Sequence, residues 1–169
     1  VLLAELPITD DALQPVEPVV LPTATALGQG ILSPLPVGTM GESGPKAYQV
    51  TDLLVGQAAL AYALDAAMSK ALPPVNPDAT PDVTYVAVLL ATSIERGSIR
   101  LDNRSVKVID DQLTAYTPDL VVDANGREAR FMQAEVRANA GTVTLGFVTL
   151  LPSDRQPLVL YISGIFAED

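Results

Sequence analysis

The sequence predicts an all-β fold, a β-sandwich with one short helix, preceded by an extended N-terminal arm. Roughly seven or eight short apolar runs, spaced about 8 to 12 residues apart and separated by turn residues, are typical of a sandwich. One Ala-rich run among them has the composition of a helix. Seven of the fourteen prolines fall in the first 46 residues, where they exclude a helix or an interior strand.

Residues 1–46 are predicted to form the arm. Proline fixes φ and has no N–H, so an extended polyproline-like or edge-strand conformation remains. The side chains are too apolar for a solvated linker, which would be rich in Ser, Gly and charge. We therefore expect the arm to lie on a β-sheet and to bury its apolar side chains, here called anchors, against it. The anchors are Val1, Leu2, Leu3, Leu6, Val16, Val19, Val20, Leu21, Ile31 and Leu32.

The predicted domain, residues 47–169, follows a flexible bend rich in glycine and opens with a strand over 47–54. Gly56 then precedes the Ala-rich run 57–72, which is composed of strong helix formers. Its few polar residues form one narrow stripe, so most of the helix is expected to face protein. Pro73 ends the run.

A loop over residues 73–82 leads to the strand 83–92, whose apolar run suits burial on both faces. Shorter strands follow, with turn residues such as Asp102–Asn103 and Asp110–Asp111 between them. The remaining predicted strands are 98–101, 105–109, 113–116, 129–138, 142–151 and 157–166.

Four segments carry a family resemblance: LLVGQAALAYALDAAMSKALPP, TYVAVLLATSI, SVKVIDDQLTAY and AGTVTLGFVTLLPSDRQPLVLYI. Their order resembles the uncharacterised immunoglobulin-like extracellular domains of bacterial secreted proteins and lipoproteins. The resemblance implies an immunoglobulin-like sandwich over residues 47–169 and implies no enzymatic role. The chain departs from the family at Leu145-Gly146-Phe147, where the family strand carries an aromatic residue. The arm lies outside the resemblance.

Composition excludes several function classes. The net charge of −10 argues against nucleic acid as a partner, because that partner requires clustered cations. The chain has no His and no Cys, so a Ser–His–Asp triad, a Cys–His pair and thiolate or imidazole metal sites are impossible. No apolar run reaches the length of a membrane-spanning helix. We expect neither an enzyme nor a cofactor.

Calcium is the one ligand that the acidic residues suggest, since carboxylate oxygens are its usual ligands. No group has the spacing of an EF-hand loop, and solvated turn aspartates are the default interpretation. The weak candidates are Asp78, Asp82, Asp119 and Asp123.

Because the chain starts at Val1, we interpret it as a processed product of export, with a trimmed chain as the alternative. An extracellular or cell-surface location follows. The predicted function is that of a structural or assembly protein, whose arm docks on a sheet of a neighbouring copy to build a homo-oligomer, filament or sheath. Two alternatives stay open. The arm folds back on its own domain, or it tethers an extracellular module that binds a ligand or Ca²⁺.

Overall fold

The computed structural model describes residues 34–67 and 82–163, and the structural statements below refer to these residues. They form ten strands, one α-helix, a single 3₁₀ turn at Ala138–Ala140 and a turn at Arg130–Met132 that contains left-handed residues. The elements are β1 (Gly41–Ser43), β2 (Lys46–Val55), α1 (Gln57–Ala66), β3 (Val83–Ile94), β4 (Ser98–Asp102), β5 (Val106–Asp110), β6 (Ala115–Tyr116), β7 (Leu120–Val122), β8 (Gln133–Arg137), β9 (Val143–Pro152) and β10 (Pro157–Ile162).

The described strands form three antiparallel sheets. A five-stranded sheet has the order β1-β2-β3-β9-β7, a three-stranded sheet the order β10-β5-β6, and β4 pairs with β8. Strand β3 pairs with β2 on one edge and with β9 on the other, so the prediction of a central strand at this place is confirmed. A mostly β fold with one short helix, packed in the manner of a sandwich, is also confirmed at this level of detail.

The main core lies between the five-stranded sheet and the two smaller sheets. The side chains of β3 point alternately to the two faces of the sheet, and those of Val86, Val88 and Leu90 are buried on this side. Val88 stands opposite Phe147 of β9, which is also fully buried. Apolar residues at every second position of the smaller sheets close the layer from the other side, since a strand presents alternate residues to one face. They include Ile99, Leu101, Val106, Val108, Ala134 and Val136.

Helix α1 covers part of the opposite face of the five-stranded sheet. Its residues Ala59, Ala63 and Ala66 form one buried stripe, and small side chains there allow a close approach to the sheet. Leu64 on the outer side is 56% exposed. The expectation that most of this helix faces protein is therefore wrong for the described part. The helix ends at Ala66, whereas the sequence pattern ran to residue 72, and residues 68–72 lie outside the described residues.

Gly146 allows the helix to approach strand β9. A Cβ built on Gly146 would stand 2.8 Å from Cε1 and Cζ of Tyr62, and its nearest neighbour would be the hydroxyl oxygen of the same ring. Such distances are far below van der Waals contact. The phenol of Tyr62 therefore lies directly over a position where an added side chain would collide with the ring unless the ring moved.

The predicted elements differ from the described ones in three places. A short strand, β1, lies in the predicted glycine-rich bend and pairs with the start of β2. Strand β7, which pairs with β9, was not predicted. The predicted strand 129–138 is interrupted at Phe131 and Met132, whose φ angles are 54° and 55°. Two left-handed residues in succession cannot continue a strand, so β8 starts only at Gln133.

Substitution of Gly146 by Ala tests the helix–sheet contact. We expect G146A to lower the free energy of unfolding by about 1–3 kcal/mol, because the added methyl group overpacks the site. In a Tyr62→Ala background the same substitution should cost close to nothing, since the ring that it meets is gone. Urea denaturation of the four proteins in this cycle measures the coupling. An equal cost of G146A in both backgrounds would contradict the assigned contact.

Phe131 offers a second stability test, because its side chain is 93% exposed while its backbone is left-handed. Asn adopts this conformation more readily than Phe, and little packing is lost with so exposed a ring. We expect Phe131→Asn to raise the free energy of unfolding by about 1 kcal/mol. Phe131→Ala is the matched control, since it removes the ring without relieving the backbone. Equal unfolding midpoints for the two variants would contradict backbone strain at Phe131.

Candidate functional site

The chain enters the fold beside strand β2. The predicted arm anchors, from Val1 to Leu32, lie outside the described residues, so their docking stays a prediction. Within the described part, the N–H of Gly38 donates to the carbonyl of Val50 at 2.8 Å, and β1 then pairs with residues 46–48. The first half of β2 is therefore covered along its outer edge.

The second half of β2 has no such cover among the described strands. The N–H of Thr39 donates to the carbonyl of Pro36 at 3.0 Å, which closes a turn at residues 36–39. Pro34 and Pro36 also have no N–H with which to extend the ladder. The outer edge of residues 51–55 is consequently unpaired by any residue that the structure describes.

Strand β10 lies on the same side of the sandwich. In its sheet β5 is central and β6 contacts β9 of the larger sheet. Strand β10, at the opposite edge, is therefore on the β2 side. No described strand pairs with its outer edge. We refer to the two outer edges, that of residues 51–55 and that of β10, as the open side.

Apolar side chains that face the core are exposed at this open side. Leu53 stands opposite Val88, and Val55 opposite Val86, so all four share the inward face of the five-stranded sheet. Val86 and Val88 are buried, but Leu53 is 38% and Val55 48% exposed. Burial of such side chains contributes roughly 1.5–3 kcal/mol each when it is complete. The described residues thus leave one flank of the core partly uncovered.

This arrangement suits the binding of an extended peptide. Free main-chain groups on an edge strand can pair with an added strand, and alternate side chains of that strand can fill an apolar groove. Sequence reasoning could not locate the open side, because it depends on which strands end up at the sheet edges. It did identify a segment with the composition that such a site would accept.

A polar cluster closes one end of the core. Asp110, the last residue of β5, is fully buried. Its Oδ1 accepts the N–H groups of Thr114 at 2.8 Å and Gln112 at 2.9 Å, and its Oδ2 accepts the hydroxyl of Tyr116 at 3.0 Å. The sequence pattern predicts Asp110 in a turn, whereas it is the last residue of β5. The alternation of Val106, Val108 and Asp110 was the available signal that it points inward.

Arg155 approaches this carboxylate from the turn between β9 and β10. Its Nη1 lies 3.9 Å from Oδ2 of Asp110, and its Nε lies 3.5 Å from Oδ1 of Asp154. Both nitrogens are buried, and neither has a hydrogen-bond partner among the described residues. The charges therefore attract one another at ion-pair range without direct hydrogen bonds. Arg155 links the turn after the large sheet to the end of the small one.

The balance of effects on Asp110 favours its charged form. Burial is the largest single effect and raises the pKa of Asp110, but hydrogen bonds from Thr114, Tyr116 and Gln112, together with the charge of Arg155, outweigh it. The net result is a pKa below the ordinary value. Burial and the neighbouring Asp110 carboxylate raise the pKa of the Tyr116 phenol. Both carboxylate oxygens of Asp110 accept hydrogen bonds, and the residue is not accessible to solvent. These properties fit a structural role for the cluster.

The aspartates named as weak Ca²⁺ candidates are Asp78, Asp82, Asp119 and Asp123. Asp78 lies outside the described residues. Asp119 Oδ2 accepts the N–H of Leu150 at 3.1 Å, and Asp123 Oδ1 accepts the N–H of Asn125 at 2.8 Å, so both carboxylates have internal partners. The described residues contain no group of three or more acidic side chains placed to hold a metal. Calcium binding stays a prediction.

Comparison of the chain with protein-family models, with curated proteins and with solved structures gives no match. The immunoglobulin-like resemblance of residues 47–169 therefore stays a prediction. In the part of the chain that the structure describes, no helix is long and apolar enough to cross a bilayer.

The Asp110 cluster predicts how stability depends on pH. Because the folded state lowers the pKa of Asp110, its contribution to stability is complete above the unfolded value of about 4 and is lost as the pH falls through the folded value. We expect Asp110→Asn to lower the unfolding midpoint in urea at pH 7 and to weaken the fall in stability below pH 4. Asp154→Asn, at the exposed partner of Arg155, is the control. Indistinguishable pH profiles for the two variants would contradict this assignment.

Proposed function

We propose that this protein is a non-enzymatic, secreted or cell-surface structural protein, whose N-terminal arm docks on a sheet of a neighbouring subunit and so builds a filament or sheath. The observation that carries the proposal is the open side, where inward-facing Leu53 and Val55 stand beside strand edges that no described residue pairs with. An edge of this kind attracts an extended apolar segment. The chain possesses such a segment in its first 33 residues.

Two effects favour such docking and one opposes it. Each main-chain hydrogen bond that an added strand forms contributes about 0.5–1.5 kcal/mol net, and each apolar anchor contributes about 1.5–3 kcal/mol when it is buried. A strand of six residues with three buried anchors therefore gains several kcal/mol. Ordering the segment opposes this gain at roughly 1–2 kcal/mol per residue. Docking is strong enough for assembly only where several anchors are buried together.

The geometry of docking determines the shape of the product. An arm that leaves one subunit and enters the open side of the next makes a head-to-tail contact. Repetition of this contact generates an open filament unless the rotation between subunits closes a ring. Every subunit then has its open side covered except the one at the end.

Charge makes an additional prediction about the assembly. The chain carries a net charge of −10, and the first 33 residues hold four carboxylates and no Lys or Arg. Subunits in contact repel one another, and salt screens this repulsion over a Debye length of about 8–10 Å. Assembly driven by apolar anchors is therefore expected to strengthen as the salt concentration rises, whereas assembly driven by ion pairs would weaken.

The test compares the full chain with a full-chain variant in which the ten arm anchors are replaced by serine. We expect the wild-type chain to form polymers visible by electron microscopy and light scattering, and the variant to be a folded monomer that unfolds cooperatively, at a lower temperature than the polymer because docking no longer stabilises the domain. A control variant with Leu64→Ser and Leu113→Ser changes exposed residues of the described domain and should still polymerise.

Two outcomes would overturn the proposal. The wild-type chain could remain monomeric at all salt concentrations. Alternatively, the serine variant could keep the size of the wild-type particle while its domain loses thermal stability, which would mean that the arm belongs to the core of its own domain.

A further inference from the structure

The two edges of the open side differ in their protection against an added strand. Along β2 the pairing with β3 is irregular between Val50 and Asp52, as in a β-bulge. The N–H of Leu53 donates to Oδ1 of Asp52 at 2.8 Å, so one main-chain donor already has a partner. A bulge and a charged side chain are two devices by which sheets prevent edge pairing. The edge of residues 51–55 is therefore a poor acceptor.

Strand β10 has no charged residue, and no described side chain accepts a hydrogen bond from its main-chain N–H groups. Its sequence, PLVLYI, contains no Lys, Arg, Asp or Glu, and its single proline is the first residue. The N–H of Ser163 donates to the carbonyl of Ser105 at 2.7 Å. Since main-chain groups alternate along an antiparallel strand, the N–H and C=O groups of Leu160 and Ile162 point away from β5, toward the open edge.

Side-chain exposure along β10 agrees with this assignment. Leu160 and Ile162 point inward and are only partly buried in the core. Leu158 is 56% and Tyr161 45% exposed. An uncharged, apolar edge strand with free main-chain groups would promote aggregation if nothing covered it. A strand added along this edge would pair with these main-chain groups and cover the exposed side chains.

The arm contains one segment suited to this role. Residues 1–6, VLLAEL, are the longest stretch of the first 33 residues that is free of proline and glycine and also predominantly apolar. The other apolar stretches are interrupted, by Pro18 in residues 16–21 and by Gly28 and Gly30 in residues 23–33. Proline removes a ladder hydrogen bond, and glycine has no side chain to bury.

Alternation then selects the face of this segment. If Val1, Leu3 and Glu5 pointed to the core, the carboxylate of Glu5 would be buried without a partner, which is costly. The opposite arrangement directs Leu2, Ala4 and Leu6 inward, toward the exposed flank at Leu53 and Val55. The carboxylate of Glu5 then points to solvent.

We infer, on the basis of the proposed function, that β10 is the acceptor edge and that residues 1–6 of a second copy of this chain add to it as a strand, with Leu2, Ala4 and Leu6 facing the core. The spacer between this strand and Pro34, residues 7–33, reaches at most roughly 90 Å when extended. Its four prolines, Pro7, Pro15, Pro18 and Pro22, favour extended conformations. A spacer of this length is long enough to reach a neighbouring copy, as the proposed function requires.

The first test uses the alternation of the added strand in the full chain. Leu2→Glu and Leu6→Glu introduce a carboxylate on the inward face, so each should abolish polymers at concentrations where the wild type is fully assembled. Leu3→Glu introduces the same charge on the outward face and should assemble within about threefold of the wild-type critical concentration. Equal effects at positions 2, 3 and 6 would overturn the assigned strand.

The second test uses the absence of cysteine from the chain, which makes single-cysteine cross-linking specific. Equimolar full-length Leu3→Cys and Tyr161→Cys chains are mixed, assembled and treated with a short bismaleimide. We expect a covalent dimer that contains one chain of each kind, identified by mass spectrometry. Leu64→Cys replaces Tyr161→Cys in the control mixture, since it is equally exposed but lies on the helix side, and should give at least tenfold less mixed dimer.

The outcomes separate this inference from the proposed function. Polymers that form normally but give no mixed dimer with Tyr161→Cys would overturn the β10 assignment and leave assembly by the arm in place. A cross-link confined to single chains of a Leu3→Cys/Tyr161→Cys double variant would overturn docking on a second copy. Absence of any polymer in the wild-type chain would overturn the proposed function itself.

Discussion

The architecture depends on strand β3, which pairs with a neighbouring strand along each edge and buries side chains on both faces. Its outer neighbours β2 and β9 satisfy the main-chain hydrogen bonds along its length, and its side chains alternate between two apolar layers. A strand so apolar could not lie at an edge without exposing a long aggregation-prone surface. The other described elements pair with the edges of β3, pack on its two faces, or pack on the elements that do so.

The two faces of the sheet are covered in different ways. Helix α1 lies on one face and contributes alanines, and Gly146 gives the ring of Tyr62 room to pack directly on β9. The smaller sheets lie on the other face with larger aliphatic side chains. Their strands are short, and the described part of β2 extends beyond them at Leu53 and Val55. The open side therefore results from a mismatch between a long strand pair and a smaller covering layer.

Electrostatics contributes at one point of the core. Asp110 is the charged residue among those fully buried in the described domain, and the strand end where it lies would otherwise expose unpaired N–H groups of the following turn. Its hydrogen bonds organise that turn, and Arg155 brings a compensating charge from the turn between β9 and β10. A buried carboxylate with this many partners specifies geometry more than it adds stability. The register of the small sheet is thereby tied to the turn after β9.

Several features could be predicted from the sequence because they depend on local patterns. A continuous apolar run identified the strand at 83–92, and alanine and leucine content identified the helix after Gly56. Sheet order could not be predicted, because it is decided by pairing between residues far apart in the chain. The break at Phe131 was equally hidden, since the pattern of apolar residues continues through a backbone that turns left-handed.

The same division applies to the candidate site. Proline spacing and apolar composition, both properties of the chain alone, predict that the first residues form neither a helix nor an interior strand. Only the tertiary structure decided that β2 and β10 lie at the same flank, that Asp52 occupies a main-chain donor on one of them, and that Asp110 is a buried residue instead of a turn residue. The reason is physical: a sequence determines which segments can pair, whereas the packing of all layers together determines which edge is left without a partner.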